Sequence, residues 1–490
     1  MPNTIFSRLM NIGTVQRQSI VSFCWQLVFT GVGFVSTIYF ARAVGADILG
    51  AYFLFMSYYS IFTMVSNGGL GGAAVKRISE GEQKNEYFSA FFAVRILLLL
   101  IALIFLLSFR GLFNDLNAFG LFVWLPVIMI VSVLSGSVGI GVTGTGKMGI
   151  RATCNTITLI SSVVFQVAAI YLGYGAVGLA AGAIVGMVVG GLIEYRFLEL
   201  RLVRFGWDHI KSLSTFAFWL FLASGGVMVF SQADTVIIGY FMHNSDVGIY
   251  RVVLQFTMAA TLLTSVLRNT LWPKVSGWGK SGDMARVEES LSRALCYSLL
   301  LAVPVFLGGV MLGDKLLYFF YGAEFSAGYK TLIILLTVQV VNVFQYFFTM
   351  YLEAMNHPKE SFKVTMVAAS ANIILDILLI PIYGIVGAAV ATLATMVLNV
   401  FLARRALSRI MRIHVEADSL RNIIEAAVVM GAVVGVFRIV VDVSSVWLAL
   451  VPVALGFLVY GIMILKMDRK IRNDLKLMVN QMGLPWPAML

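Results

Sequence analysis

NIILDILLIPIYGIVGAAVA, residues 372–391, is an apolar span holding one carboxylate, then a short break, then a ladder of small residues. An earlier segment answers it. YGAVGLAAGAIVG from Tyr174 and YGIVGAAVATLAT from Tyr383 repeat Tyr, Gly, Val, Gly and Ala in register, 209 residues apart. Gly178, Gly182, Gly186 and Gly190 recur at every fourth position along one helix face, and Gly387, Ala391 and Thr395 answer the first three. Inside a bilayer no hydrophobic drive pulls helices together, so close backbone approach at small residues must hold them. The ladder is therefore predicted to be a helix contact used twice. A second echo, LGAY at Leu49–Tyr52 and VGIY at Val247–Tyr250, places two further glycines 198 residues apart. Repeats of about 200 residues imply a transporter-like body made of two halves.

Composition sets the solvent. Of the 490 residues, 60% are hydrophobic and 12% charged, a balance that a soluble globular chain could not keep in solution. The expectation is an all-α, polytopic membrane protein. A net charge of +11 in a soluble chain would raise the question of nucleic acid. Here the cations sit in short loops between apolar spans, where they set orientation and meet anionic membrane lipids, and no nucleic acid is expected. Windows of roughly 20 apolar residues fall near 19–41, 45–66, 88–109, 118–143, 152–173, 176–197, 214–241, 247–270, 294–313, 330–353, 362–382, 384–403, 422–441 and 446–465. These are fourteen spans. With the N-terminus cytoplasmic, 28 of the 35 Lys and Arg residues fall on the cytoplasmic side and 5 outside, Arg95 and Arg251 lying within spans. That asymmetry predicts a multi-pass protein of the cell membrane with both termini cytoplasmic.

The chain divides into a cytoplasmic amphipathic lead-in (1–18), an N-terminal six-helix lobe (19–205), a C-terminal six-helix lobe (206–410), an extra helix pair (411–466) and a cytoplasmic tail (467–490). Six spans per repeat, an even number, put the halves in one orientation about a pseudo-twofold axis along the membrane normal. Trp207, Trp272 and Trp278 sit at cytoplasmic span ends, at headgroup level. The stretch Lys274–Arg293 and the tail after Lys466 are charged and partly amphipathic, as segments along the inner surface are.

Enzymatic chemistry finds no foothold. GTGKMG at Gly144–Gly149 lacks the hydroxyl and strand context of a phosphate-binding loop and reads as a turn between spans. The four histidines lie in different loops without ligand spacing, and Cys24, Cys154 and Cys296 read as packing residues in or beside apolar spans. No cofactor or metal is expected, and any work must come from a substrate gradient or an ion gradient, H+ or Na+. Charges inside spans cost roughly 2.5 to 3.5 kcal/mol each unless paired or hydrated. Arg95, about two turns into its span, either snorkels to the interface or serves a cavity. Glu194 and Glu353 lie near cytoplasmic ends, where solvation is expected. Asp234 and Asp376 lie deeper on short side chains, with Asn372 one turn before Asp376 on the same face. Arg251, one turn below the outer surface, is placed to pair with Asp234 across the seventh and eighth spans. For each of these residues, helix-to-helix hydrogen bonding competes with a transport role.

GLGGAAVKRISEG at Gly69–Gly81, ADTVIIGYF and VGIY within Ala233–Tyr250, and NIILDILLIPIYGIVGAAVAT at Asn372–Thr392 together resemble the polysaccharide flippases called Wzx, of the multidrug/oligosaccharidyl-lipid/polysaccharide exporter superfamily. The resemblance runs along essentially the whole chain. It implies a V-shaped, two-lobed bundle whose central cavity opens alternately to either side and turns a polyprenyl diphosphate-linked oligosaccharide from the cytoplasmic to the outer leaflet. It also implies partners in one pathway, a polysaccharide polymerase or glycosyltransferases. Lys76, Arg77 and Arg95, near the cytoplasmic mouth, are the expected site of diphosphate capture. Two relatives of that superfamily compete: a peptidoglycan-precursor flippase, which also has fourteen spans but a more cationic cavity, and a cation-coupled drug antiporter, which usually has twelve. From a different class, a membrane scaffold needs neither buried carboxylates nor a twofold repeat.

Overall fold

The computed structural model describes residues 14–481, and every regular element among them is helical. In chain order the long elements are α1 (Thr14–Asn67), α2 (Leu70–Ser79), α3 (Lys84–Ser108), α4 (Trp124–Gly144), α5 (Met148–Tyr171), α6 (Gly175–Tyr195), α7 (Trp207–Phe241) and α8 (Asn244–Thr257). They continue as α9 (Leu262–Ser281), α10 (Met284–Tyr321), α11 (Tyr329–Ala354), α12 (Pro358–Leu407), α13 (Ala417–Val440), α14 (Val446–Met467) and α15 (Arg469–Gln481). Among the described residues, eleven helices are long and apolar enough to cross a membrane. Two expected boundaries between windows are not loops. α1 and α12 each run through two windows and are broken by one glycine, Gly45 at φ 77° and Gly384 at φ 61°. Lacking a Cβ, glycine enters this region without steric cost, so the helix bends with no connecting loop. Near the second break Pro381 removes one helix hydrogen bond. The expected lead-in over residues 1–18 falls largely outside the described residues, and the chain is already helical from Thr14.

The Lys274–Arg293 stretch resolves into the end of α9 and the start of α10. Gly282, at φ 76°, closes α9, and the Asp283 carboxylate accepts the Arg286 N–H at 3.4 Å to cap α10. GTGKMG is the turn between α4 and α5, with Gly146 at φ 83°.

Contacts divide the chain into two compact units, residues 1–248 and 249–490. In the first, α6 packs along α5 and against α4, while α7 packs on α1, α2 and α3. In the second, α12 lies along α11, and α10 packs on α11, α13 and α14. Cys154 and Cys296 are buried packing residues. Large apolar side chains such as Ile104, Leu107, Trp447 and Phe457 remain exposed, as the lipid-facing surface of a membrane bundle must be.

The glycine ladder is a backbone contact. A Cβ built on Gly178, Gly182, Gly186 or Gly190 of α6 would lie 2.8, 2.6, 2.0 or 1.8 Å from Ala169, Gln166, Ser162 or Thr158 of α5. In the second unit a Cβ on Gly387 would lie 2.3 Å from the Leu379 carbonyl. Residues eight apart in one straight helix are about 12 Å apart along its axis, so this approach shows that the two arms of α12 fold back on each other. The second echo is also a contact: Gly50 and Gly248 meet, a Cβ on Gly50 falling 1.7 Å from the Asn244 carbonyl and one on Gly248 falling 2.1 Å from the Ala46 carbonyl.

The tail is docked. Asp468, buried between α14 and α15, accepts the N–H groups of Lys470 and Ile471, each at 3.0 Å, and the Asn422 amide at 3.2 Å. Burial pushes its carboxyl upward, but these donors together with Ser419 outweigh it and hold the group below the usual carboxylate range. Tyr297 donates to Asp474, and Lys470 pairs with Glu416 at 3.3 Å. A depressed carboxyl pKa contributes stability that is present above the unfolded value and lost as pH falls through the folded one. Asp468→Asn is therefore expected to loosen α15 at about pH 7, with the difference from wild type closing below about pH 4. Protease sensitivity of the tail reads this out, and equal sensitivity of both proteins at neutral pH would remove the cap.

Candidate functional site

Buried polar side chains in a hydrocarbon bundle are the groups with chemistry to offer, because each costs free energy unless partnered. In the second unit they gather on α12 and α11. Asn372 and Asp376 are fully buried on the first arm of α12. The two arms meet where Gly387 faces the Leu379–Ile380 peptide; Asp376 and Asn372 lie one and two turns before buried Ile380 on the same face, and Ala391 and Thr395 lie one and two turns after Gly387. Among the described residues, neither polar atom of the Asn372 amide has a hydrogen-bond partner, and the same holds for the Asn399 carbonyl on the second arm. On α11 the Asn342 amide donates to the Gln339 carbonyl at 3.1 Å, and Gln339 donates to Thr257 at 3.2 Å. Two antiparallel arms and a neighbouring helix thus carry a carboxylate and several amides where sequence reasoning had singled out only Asn372 and Asp376. Gln339, Asn342 and Asn399 were missed because they carry no charge; an amide within an otherwise apolar window was the available signal.

The first unit holds the equivalent seam in neutral form. Gln166 faces Gly182, the ladder counterpart of Ala391, and at the repeat offset of 209 it falls at position 375, one residue from Asp376. It donates to Tyr52 Oη and to the Leu179 carbonyl, both at 2.9 Å. One repeat therefore places a satisfied amide one position from where the other places an acid.

Arg95, the twelfth residue of α3, does not snorkel. Its guanidinium lies against α4, donating to Ser137 Oγ at 3.1 Å and lying 5.7 Å from the Phe91 ring centroid. The residue is 5% exposed, and Nε has no partner among the described residues. Space for it comes from Gly136, whose Cβ would fall 3.0 Å from the guanidinium, and Gly139 one turn on gives way to Arg151 in the same manner. Arg151 pairs with Glu194 at 2.5 Å, and Glu194 is 2% exposed. The expected solvation of Glu194 is thus corrected: α5 and α6, clamped by the ladder, enclose the carboxylate and supply its cation from within the bundle. Glu353 accepts from Ser361 at 3.0 Å. Arg151→Met should cost about 3 kcal/mol, because it leaves a buried charge uncompensated, while Arg151→Met with Glu194→Gln should recover most of the loss. Thermal unfolding in detergent measures both, and a neutral single variant would rule the pair out as a stabilising element.

Lys76 and Arg77 end α2 on the surface. Arg77 pairs with Glu80 at 2.9 Å, which holds its guanidinium above its usual range, and it lies 6.0 Å from the Tyr87 ring centroid. The structure thus presents Arg77 in a local ion pair at the surface and Arg95 buried against Ser137, two different environments. Asp234 is buried on α7, with its neighbour Gln232 accepting from Ser57 at 2.9 Å, and Arg251 is half-buried on α8.

The family model described as polysaccharide biosynthesis protein matches residues 15–276, and the MatE model matches residues 220–378. The chain is 28% identical over 452 residues to the probable low-salt glycan biosynthesis flippase Agl15 of Haloferax volcanii, covering 91% of this chain and 94% of that protein. It is 26% identical over 398 residues to the probable flippase AglR of the same organism, covering 80% of this chain and 83% of that one. Among solved structures, the lipid II flippase MurJ in an inward closed conformation has a TM-score of 0.76 at 18% identity, covering 92% of this chain and 99% of that chain. An inward-facing multidrug resistance MATE family transporter has a TM-score of 0.63 at 14% identity, covering 80% of this chain and 98% of its own. At such identities the structural likeness speaks to the fold alone.

Proposed function

The chain belongs to the polysaccharide biosynthesis protein family, and from that membership we propose that it is a flippase turning a lipid-linked oligosaccharide from the cytoplasmic to the outer leaflet for surface glycan synthesis. The observation that carries this reading is the match over most of the chain's length to a probable glycan biosynthesis flippase and to a second probable flippase, which leaves no large part of the chain for a different activity. The physics agrees. A sugar head and its anionic diphosphate would strand many hydrogen-bonding groups in hydrocarbon. A bundle that offers buried guanidinium, amide and carboxylate groups lowers that cost while the lipid tail stays in the membrane.

Arg95, Asn372 and Asp376 are the residues assigned to the transport path in this reading, with Lys76 and Arg77 at the cytoplasmic mouth and Asp234 and Arg251 towards the outer side. The substrate is a polyprenyl diphosphate-linked sugar repeat unit. An H+ or Na+ gradient supplies the work, a part of the proposal motivated by the fully buried Asp376 carboxylate. The protein sits in the cell membrane with both termini cytoplasmic, as the distribution of Lys and Arg directs, and it hands its product to a polymerase or glycosyltransferase of the same pathway. Deleting the gene should cause a lipid-linked oligosaccharide to accumulate on the cytoplasmic leaflet, identified by mass spectrometry and cleared by the wild-type copy. Accumulation of a peptidoglycan precursor instead would move the protein to the precursor flippases, and unchanged lipids with altered drug export would make it an antiporter.

A further inference from the structure

A cavity of about 650 Å³ lies within the first unit between α3, α4 and α6, closed on one side by the extended segment after α6. Its walls are hydrocarbon, Phe88, Phe92, Val131, Val138 and Val188 among them. Its two serine hydroxyls are already engaged, Ser135 donating to the Val131 carbonyl at 2.9 Å and Ser137 to the Val133 carbonyl at 2.6 Å. Only Tyr195 and Arg201 of the lining would offer a sugar a vacant donor. Leu134, Leu192, Tyr195 and Leu202 line the cavity while remaining heavily exposed, so it opens onto a largely apolar surface, as a lipid-facing side of a membrane bundle is.

One end is cationic. The extended segment is pinned across α3, the Arg201 N–H donating to Asn85 at 2.9 Å and the Val203 N–H to Ser89 at 2.8 Å. This fixes Arg201 at the rim. Two cations of the flanking helix turn are committed, Lys147 to Glu199 at 2.6 Å and Arg151 to Glu194 at 2.5 Å. Arg201 is exposed and has no carboxylate within ion-pair distance among the described residues.

We infer that this cavity is a resident lipid site: it holds one acyl chain of an anionic membrane phospholipid whose phosphate is bound by the Arg201 guanidinium. The volume lies in the range of pockets built for a single small ligand, which favours one chain of a bilayer phospholipid over the long tail of a polyprenyl carrier. The inference is independent of what the protein transports.

The test is native mass spectrometry of the full chain in detergent, incubated with equimolar phosphatidylglycerol and phosphatidylcholine. Wild type should retain one tightly held phosphatidylglycerol. Val188→Trp, which fills the cavity from a partly exposed position, should lose that adduct while eluting like wild type. Arg201→Gln should keep a lipid but lose about fivefold in preference for the anionic head, the fold-change that one cation near a membrane surface supplies. Retention of the adduct by Val188→Trp, no preference in wild type, or displacement by equimolar undecaprenyl phosphate would each overturn the assignment, the last by making this a carrier site. A Leu134→Trp reporter does not depend on the folding of the filled variant. Its fluorescence should be quenched more by brominated phosphatidylglycerol than by brominated phosphatidylcholine, and equal quenching would overturn it as well.

Discussion

Gly248→Ala is expected to abolish assembly of the protein, whereas Gly461→Ala should leave yield and thermal stability unchanged. The alanine methyl at position 248 would be placed 2.1 Å from the Ala46 carbonyl oxygen and 3.1 Å from the Gly50 nitrogen. Both are backbone atoms, so no rotamer change relieves the clash and a helix must move. Overpacking against side chains typically costs about 1 to 3 kcal/mol, and a backbone collision should exceed that range. Gly50→Ala should behave alike, since its Cβ meets the Asn244 carbonyl at 1.7 Å. Nothing lies within 4 Å of a Cβ on Gly461, which makes it the control. Fluorescence-detected size exclusion and a melting curve decide the matter, and a monodisperse Gly248→Ala protein with the wild-type melting point would show that the two helices do not cross there.

The second large effect concerns the ladder, where the kind of atom each glycine meets sets what can be rescued. Gly182→Leu should eliminate folded protein and Ala391→Leu should be harmful too, because both separate backbones that pack directly. At smaller scale the two ends of the α6 ladder should part company. A Cβ on Gly190 meets Thr158 Oγ1 at 1.8 Å and its Cβ at 3.0 Å, so Gly190→Ala should be destabilising alone and largely restored by Thr158→Ala. A Cβ on Gly182 meets the backbone nitrogen and Cα of Gln166 at 2.6 and 2.9 Å, so Gly182→Ala should stay defective when combined with Gln166→Ala. Melting temperatures of wild type, the four single variants and the two double variants form two double-mutant cycles. Rescue in both, or in neither, would mean that the ladder contact is not as described.

Much of this could be read before any coordinates. Spacing of four between small residues on an apolar face has a direct physical meaning in a bilayer, and its recurrence 209 residues later identified a contact that the structure finds between α5 and α6 and between the arms of α12. Asn372 and Asp376, one turn apart, were legible as a buried polar face for the same reason: helical periodicity projects sequence onto one side of a cylinder. Environments set by other elements were not legible. Glu194 looked solvated because it lies at the end of a span, and its burial depends on Arg151 reaching it from a different helix. Arg95 could have turned either way until the glycines of α4 were seen to make room for it.

The sequence by itself determined the solvent, the helical class, the repeat and the small-residue seams, since each follows from composition or from periodicity within a single segment. Only the tertiary structure decided that the glycines of LGAY and VGIY touch one another, that Gly45 and Gly384 break helices where loops were expected, and which partner each buried charge takes. Those outcomes depend on distances between residues far apart in the chain, and such distances are set by packing many side chains at once, which no local pattern encodes.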